Sequence, residues 1–567
     1  MAHSSLVSQS GDVSQSGDVS QSGDVSQSGD VSQSGDVSQS GDVTVAWQPS
    51  CPHPPASRQR RAPLLDGVLE QAARTPARLH TPGHEGGSRA SAELAAAVGP
   101  VMLDADVWIE TGCQARLRGE AEDLAAEAWG ARRAWLLTNG STAGNLAWFL
   151  GTTTDDEPVV IGRDAHLSVL TGLVLSGARP IWVPPRIHPR HEIPLGVDAE
   201  DVASALARHP GARQVVVTSP GYAATCADLS ALVAVTRRAG AGLYVDQAWG
   251  AHLAFHPGVP IDGIRAGALG AVVSIHKTGT AMSSGSVLLA GTGLDDARVA
   301  CLDRAVRMTQ TTSPLMPLLA SIDAARRDLA VEGVDGLDRA LADVARLGEQ
   351  LREIEGVRML RPDDVGLPPD RMDPLKSVID VSGLGTTGWD VERDLRGLGV
   401  AVEGADDRRI YLVHGACAEG RRGDQGGRGS VEALVTALTR VAHARSLGGD
   451  RPETGGAAAC RPWPSARVPG QRRGPAGAWR ATTALPEQAL TPRQALRAAC
   501  VVVPVARAVG RVAAEPVVPY PPGVPLLMPG EVVDSEVLET LHAVVRHGGH
   551  LHGCHDPGLG SLRVVDL

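Results

Sequence analysis

The chain has 567 residues, too many for one ordinary domain, and its 43% hydrophobic content can fill real cores although aromatics make up only 3%. Net charge is -11, and once the six aspartates of an N-terminal repeat are set aside the mildly acidic body carries no nucleic-acid footprint. Eight cysteines without a CxxC pair fit free thiols of a reducing compartment, the opening MAHSSLVSQSGD has no leader pattern, and no apolar run reaches membrane-spanning length, so the cytoplasm is the expected location.

Residues 7–42 are six copies of VSQSGD. One Val per repeat buries too little to offset chain entropy, so residues 1–63 read as a disordered repeat tail and linker. From 64 to 317, short β-branched runs alternate with helical stretches. RRAWLLT (132–138), PVVIG (158–162), RPIWVP (179–184), RQVVVTS (213–219), GLYVD (242–246) and GAVVSI (270–275) read as buried strands, with helices over GEAEDLAAEAWGA and DLSALVAVTRRAG. Such alternation implies an α/β large domain with a mostly parallel sheet covered on both faces. Residues 318–447 read as a smaller α/β domain with strand candidates SVIDVSG and RRIYLVHG. A Gly/Pro/Arg linker (448–490) and a third module (491–567) follow.

The expected strand ends gather one set of groups. Asn139-Gly140-Ser141-Thr142 opens a helix after the first run and suits a phosphate. His166 follows the second run, Asp246 ends GLYVD, and Ser274, His276 and Lys277 follow GAVV. Lys277 stands out because the chain writes its positive charges almost wholly as Arg, with Lys376 the other lysine. A guanidinium stays protonated where an amine can become a nucleophile. Each residue has a plainer structural role available, as cap, turn or packed stem. Together they match the needs of pyridoxal phosphate: an amine, a carboxylate for the pyridinium nitrogen, a phosphate seat and a ring-stacking partner. A P-loop is excluded, because His276 and Ala271 occupy positions where it needs glycine.

At this point the chain resembles the Orn/Lys/Arg decarboxylases, pyridoxal-phosphate enzymes of fold type I. The matching text is HTPGHEGG (80–87), TNGSTAGNLA (138–147), SPGYAATCADL (219–229), VDQAWGAHLAFHP (245–257), SIHKTGTAMSSGSVLL (274–289), TQTTSPLMPLLASIDAAR (309–326) and AEPVVPYPPGVPLLMPGE (514–531). The resemblance runs from about residue 64 to the C-terminus outside the linker near 450–490, and makes 491–567 the family's own C-terminal domain. It implies the short form, without the extra N-terminal domain of longer members.

The resemblance also implies roles. Lys277 bonds the cofactor's aldehyde, Asp246 pairs with its ring nitrogen, His166 stacks on one ring face and Ala248 packs the other. Ser141, Thr142 and Ser274 hold the phosphate, and His276 stands beside Lys277. Thr311 or Thr312, in TTSP, completes a neighbouring subunit's phosphate seat, so a homodimer or higher oligomer with shared sites is expected. Glu531 approaches the distal cation of a basic amino acid (arginine, lysine or ornithine), whose decarboxylation feeds polyamine metabolism. Glu85, Leu167, Gln247 and Trp249 depart from the usual family residues. Two other readings stay open here. Another fold type I reaction, an aminotransferase or lyase, would make keto acid without CO2, and a non-catalytic binding protein would hold cofactor without turnover. HGGHLHGCH (547–555) reads as a surface loop, so no metal is expected.

Overall fold

The computed structural model describes residues 56–416, 427–446, 485–520, 523–546 and 549–566. The repeat tail and nearly all of the 448–490 linker lie outside the described residues.

Seven strands form the large sheet: β1 (Arg133–Leu137), β2 (Pro158–Gly162), β3 (Arg179–Val183), β4 (Gln214–Thr218), β5 (Gly242–Asp246), β6 (Gly270–Val273) and β7 (Ser286–Ala290). Their order is β1-β7-β6-β5-β4-β2-β3. Only β7 runs against its neighbours, between β1 and β6. The six expected strands are present, and β7 is an addition that sequence reading did not separate from the motif around it.

Val, Leu and Ala carry most of the packing, as the scarcity of aromatics requires. Along the strands the faces alternate: Leu136, Val160, Val215, Val245 and Val273 pack into one core, while Leu137, Ile161, Val216, Tyr244 and Val272 pack into the other. Burial on both faces explains why these strands read as continuous apolar runs. The Gly140–Thr152 helix lies close on the sheet at Gly144, where a Cβ would sit 2.5 Å from Val272 Cγ2.

A second, antiparallel sheet joins β8 (Arg358–Met359), β9 (Lys376–Asp380), β10 (Gly404–Ala405) and β11 (Arg409–Val413) in the order β10-β11-β9-β8. The two expected strands correspond to β9 and β11; β8 and β10 are two residues each, too short to leave a pattern. One 35-residue helix, Met316–Gln350, serves both sheets. Leu319, Ile322, Leu329 and Val344 enter the core of the large sheet, and Leu347 enters that of the small one. Their separations of three, seven, fifteen and three residues keep them on one apolar stripe, and Pro317 in the first turn costs no helical bond.

The C-terminal part has its own core around Val517, Leu527, Leu541, Leu562 and Val564. It docks on the large sheet through side chains, including Trp182 Nε1 to Gln488 Oε1 at 3.1 Å and Arg493 Nε to the Val174 carbonyl at 2.7 Å. Among the described residues no helix is long and apolar enough to cross a membrane.

Candidate active site

The carboxyl ends of β1, β2, β5 and β6 share one edge of the sheet, where ligands of such folds bind. Asp246 ends β5 and is 2% exposed. Asn145 Nδ2 donates to its Oδ2 at 2.9 Å, and the Ala248 N–H donates to its Oδ1 at 3.2 Å. Asn145 is fixed in turn. Its Oδ1 accepts from the Tyr244 hydroxyl at 2.9 Å, and Tyr244 stacks on Trp148 with ring centroids 4.2 Å apart.

The second Asn145 amide proton reaches Ser168 Oγ at 2.8 Å, and Ser168 Oγ lies 2.8 Å from His166 Nδ1. Since Ser168 accepts from Asn145, its own proton goes to His166, whose Nδ1 also accepts the Ser168 N–H at 3.2 Å. His166 is therefore neutral, with its proton on Nε2. Although part of its surface reaches solvent, surrounding protein holds the imidazole below its ordinary value; Asp246 opposes that shift and Lys277 adds to it. The sequence reading missed Asn145 and Ser168, which join the expected Asp246 and His166 into one network.

Lys277 sits on the helical turn Ile275–Thr278 that follows β6. It is half-buried, with Nζ 3.9 Å from the Trp249 ring centroid. Burial lowers its proton affinity, while the charges of Asp246 and Glu403 oppose the change. Lys376, from the small sheet, meets the same ring with Nζ 3.5 Å from its centroid. Sequence reading noted Lys376 only as the other lysine; the rarity that pointed to Lys277 was the signal for both. His276 Nδ1 donates to the Gly285 carbonyl at 3.0 Å, and burial lowers its imidazole.

Gly140 turns the chain into its helix with φ +76°, and Asn139 makes no side-chain cap there. The Gly140 N–H donates to the Ser284 carbonyl at 3.1 Å, which leaves the N–H groups and hydroxyls of Ser141 and Thr142 to face an anion. Ser274 is fully buried, 3.3 Å from the Ser286 hydroxyl, and Ala248 is buried behind Asp246. Gln310 Oε1 accepts from the Thr138 N–H at 2.9 Å, so the TTSP segment starts beside this helix of its own chain. Thr311 and Thr312 are exposed, and the Thr311 hydroxyl lies 3.4 Å from that of Ser313.

Glu531 requires a correction. It is fully buried, with Oε1 and Oε2 at 2.6 and 2.7 Å from Arg163 Nη1 and Nη2, and Oε2 also accepts the Met528 N–H at 2.8 Å. Both oxygens are committed, so this carboxylate pins the C-terminal part to the loop after β2 and has none free for a substrate cation. Among the described residues no group of three or more His, Cys, Asp or Glu is placed to hold a metal.

One amine, one carboxylate held by neutral donors, one neutral imidazole and an uncapped helix start with hydroxyls form a donor set that fits pyridoxal phosphate. Residues 62–419 match the family described as Orn/Lys/Arg decarboxylase, major domain, and residues 478–556 match its C-terminal domain. An arginine decarboxylase of Halalkalibacterium halodurans is 32% identical over 90% of this chain and 98% of its own length. An arginine decarboxylase of Bacillus subtilis is 30% identical over 89% of this chain and 98% of its own length. Among solved structures, a lysine decarboxylase of Francisella novicida shares the fold at TM-score 0.72 and 18% identity, over 90% of this chain and 82% of that one.

Proposed function

The chain belongs to the Orn/Lys/Arg decarboxylase family and is an amino-acid carboxy-lyase, and on that premise we propose that it decarboxylates a basic amino acid with pyridoxal phosphate. The product amine feeds polyamine metabolism, and the substrate is arginine, lysine or ornithine. The observation that carries the reading is the run of hydrogen bonds from Asp246 through Asn145 and Ser168 to His166, beside the amine of Lys277.

Pyridoxal phosphate, when bound, supplies an aldehyde and a protonated ring that accepts the electrons left on Cα as CO2 departs. The chain's residues do the rest. Lys277 would supply the amine that holds the cofactor at its aldehyde. Asp246 keeps the ring nitrogen protonated by Coulomb attraction, strengthened by its burial. His166, neutral and uncharged toward the ring, and Ala248 flank the cofactor. Ser141, Thr142 and Ser274 hold the phosphate, with Thr311 or Thr312 of a second copy completing the seat in a homodimer. Lys277 or His276 returns a proton to Cα.

For the cationic end of the substrate, Glu403 takes the place that Glu531 leaves open. It is close enough to Lys277 and Lys376 for their charges to act on it, and it lines a cavity of about 540 Å3 with Asp343 and His414. Two of the relatives above are named for arginine, which makes arginine the first substrate to test.

The test is CO2 release from arginine, lysine and ornithine by the purified enzyme, with Lys277→Arg as control. We expect release from at least one of the three and none from the variant. Borohydride reduction of the holoenzyme should then label Lys277 on peptide mapping. A label elsewhere, or undiminished turnover in the variant, sinks the reading.

A further inference from the structure

Lys376 opens β9 of the small sheet, yet its amine stands at the candidate site of the large one. It is 3% exposed, with Nζ 3.5 Å from the centroid of the Trp249 ring, which Lys277 Nζ approaches at 3.9 Å. The Tyr222 ring centroid is 5.0 Å from the Lys376 nitrogen, and the Gly221 carbonyl oxygen is 3.4 Å away. Two rings and one carbonyl replace little of the water that burial removes, and a buried cation is normally paired.

The carboxylates nearby stop short of it. Asp373, Glu403 and the Cys226 thiol act on Lys376 through charge alone, and no carboxylate of the described residues bonds it. Asp373 Oδ1 lies 3.1 Å from His252 Nε2 and accepts the Leu375 N–H at 3.0 Å, while its Oδ2 meets no donor. Burial lowers the amine to about 7, with Asp373 opposing and the charge of Lys277 adding to the fall. Glu403, whose carboxyl burial raises, feels both lysines and is hydrogen-bonded to neither. Arginines in the neighbourhood are engaged, Arg163 with Glu531 and Arg371 with the Cys226 carbonyl and Asp228. Among the described residues, then, the site holds a cation with no bonded anion and an anion with no bonded cation. A basic α-amino acid carries the complement of both.

When the nitrogen of such a substrate takes the place of the Lys277 nitrogen, its carboxyl carbon lies two bonds away. The carboxylate must then settle among the groups around that nitrogen, and Lys376 is a cation among them. We propose that Lys376 is the seat of the substrate's α-carboxylate, the end of the molecule that the reaction removes. Holding that end fixes the direction of the bond that breaks. The seat also tells substrate from product. Carbon dioxide leaves neutral, its bonding electrons stay behind, and the remaining amine offers Lys376 nothing to hold. The inference rests on the decarboxylase reading, with Lys277 as the cofactor-bonding amine, and deepens it.

Stable conjugates test the seat without turnover. Pyridoxal phosphate is joined by reduction to arginine, lysine or ornithine, and in parallel to the amine that each gives on losing CO2. Both sets are titrated calorimetrically into the full-length, cofactor-free protein. For at least one of the three, we expect the amino-acid conjugate to bind about tenfold or more tighter than its amine counterpart. In Lys376→Met that ratio should fall to near one, with the affinity for the amine conjugate kept. Protein labelled with side-chain 13C-lysine gives two ε-carbon signals, and the one that survives in Lys277→Met belongs to Lys376. The amino-acid conjugate should raise its midpoint by about one pH unit or more, because a bound anion favours the charged amine, and the amine conjugate should not. In the holoenzyme, Lys376→Met should raise KM more than it changes kcat. Equal affinity of the unsubstituted chain for both members of every pair overturns the proposal, whether or not the variants fold. So does a Lys376 midpoint that the bound amino-acid conjugate leaves unmoved, or a preference that folded Lys376→Met retains. Failure of every conjugate to bind would remove the functional reading itself.

Discussion

Arg163 and Glu531 meet across 368 residues of sequence, guanidinium on carboxylate at 2.6 and 2.7 Å, with both side chains out of solvent. The pair is a clasp between the edge of the large sheet and the C-terminal part. Removing one partner leaves an uncompensated buried charge, which costs about 3–5 kcal/mol. Arg163→Met alone should therefore lower the unfolding free energy by that amount in denaturant titration. Arg163→Met with Glu531→Leu should cost less than the single change. A substrate-binding Glu531 would behave otherwise, with Glu531→Gln raising KM at unchanged stability.

Asn145 offers a second test. Asn145→Ala takes a donor from Asp246 and from Ser168, and an acceptor from the Tyr244 hydroxyl. Each buried polar group left without a partner costs about 1–3 kcal/mol. Since 1.4 kcal/mol is about a factor of ten in affinity, pyridoxal-phosphate affinity should fall about tenfold or more in a spectrophotometric titration of the cofactor-free chain.

The pH dependence of stability carries the mark of Lys376. Its ordinary value is 10.5 and its folded value is about 7, so the unfolded chain holds more protons between those limits. Stability should rise with pH across that window, the burial penalty being complete below about 7 and gone above 10.5. The part of the slope due to Lys376 should be absent from Lys376→Met, while the lowered amine of Lys277 keeps a slope of the same sign in both proteins. Urea titrations of both proteins at several pH values, compared as a difference, measure it. Cys226, whose thiol burial pushes up, works in the opposite sense in both proteins and cancels.

Several large apolar side chains of the described residues stand in water, and an interface with a second copy would cover them. Leu79 is 95% exposed, and Val101 and Met308 are each 78% exposed. Burying them would stabilise an interface. Val101→Asp with Met308→Asp should shift the protein toward monomer, weakening self-association about tenfold or more in sedimentation velocity.

Sequence alone reached the strand ends and the groups they deliver, because apolar runs and the residues after them are local text. It did not reach Arg163, which stood unremarked in RDAHLS while its partner lay hundreds of residues away. The role expected for Glu531 failed for the same reason: a carboxylate in a motif does not announce the guanidinium that consumes it. Asn145 was hidden within TNGSTAGNLA, where helix periodicity explains it as well as chemistry does. Lys376 is the sharpest case. Its rarity was plain, but nothing local says that β9 enters the small sheet beside Trp249.

The helix Met316–Gln350 gives the two amines a mechanical relationship as well as an electrical one. At 1.5 Å per residue it is roughly 50 Å long, so a tilt of one degree about its start carries the far end roughly 0.9 Å. Lys277 rides with the large sheet and Lys376 with the small one, so a change in the angle between the sheets would change the gap between them. Any rocking of one sheet on the other would then tighten or slacken a grip that the two share.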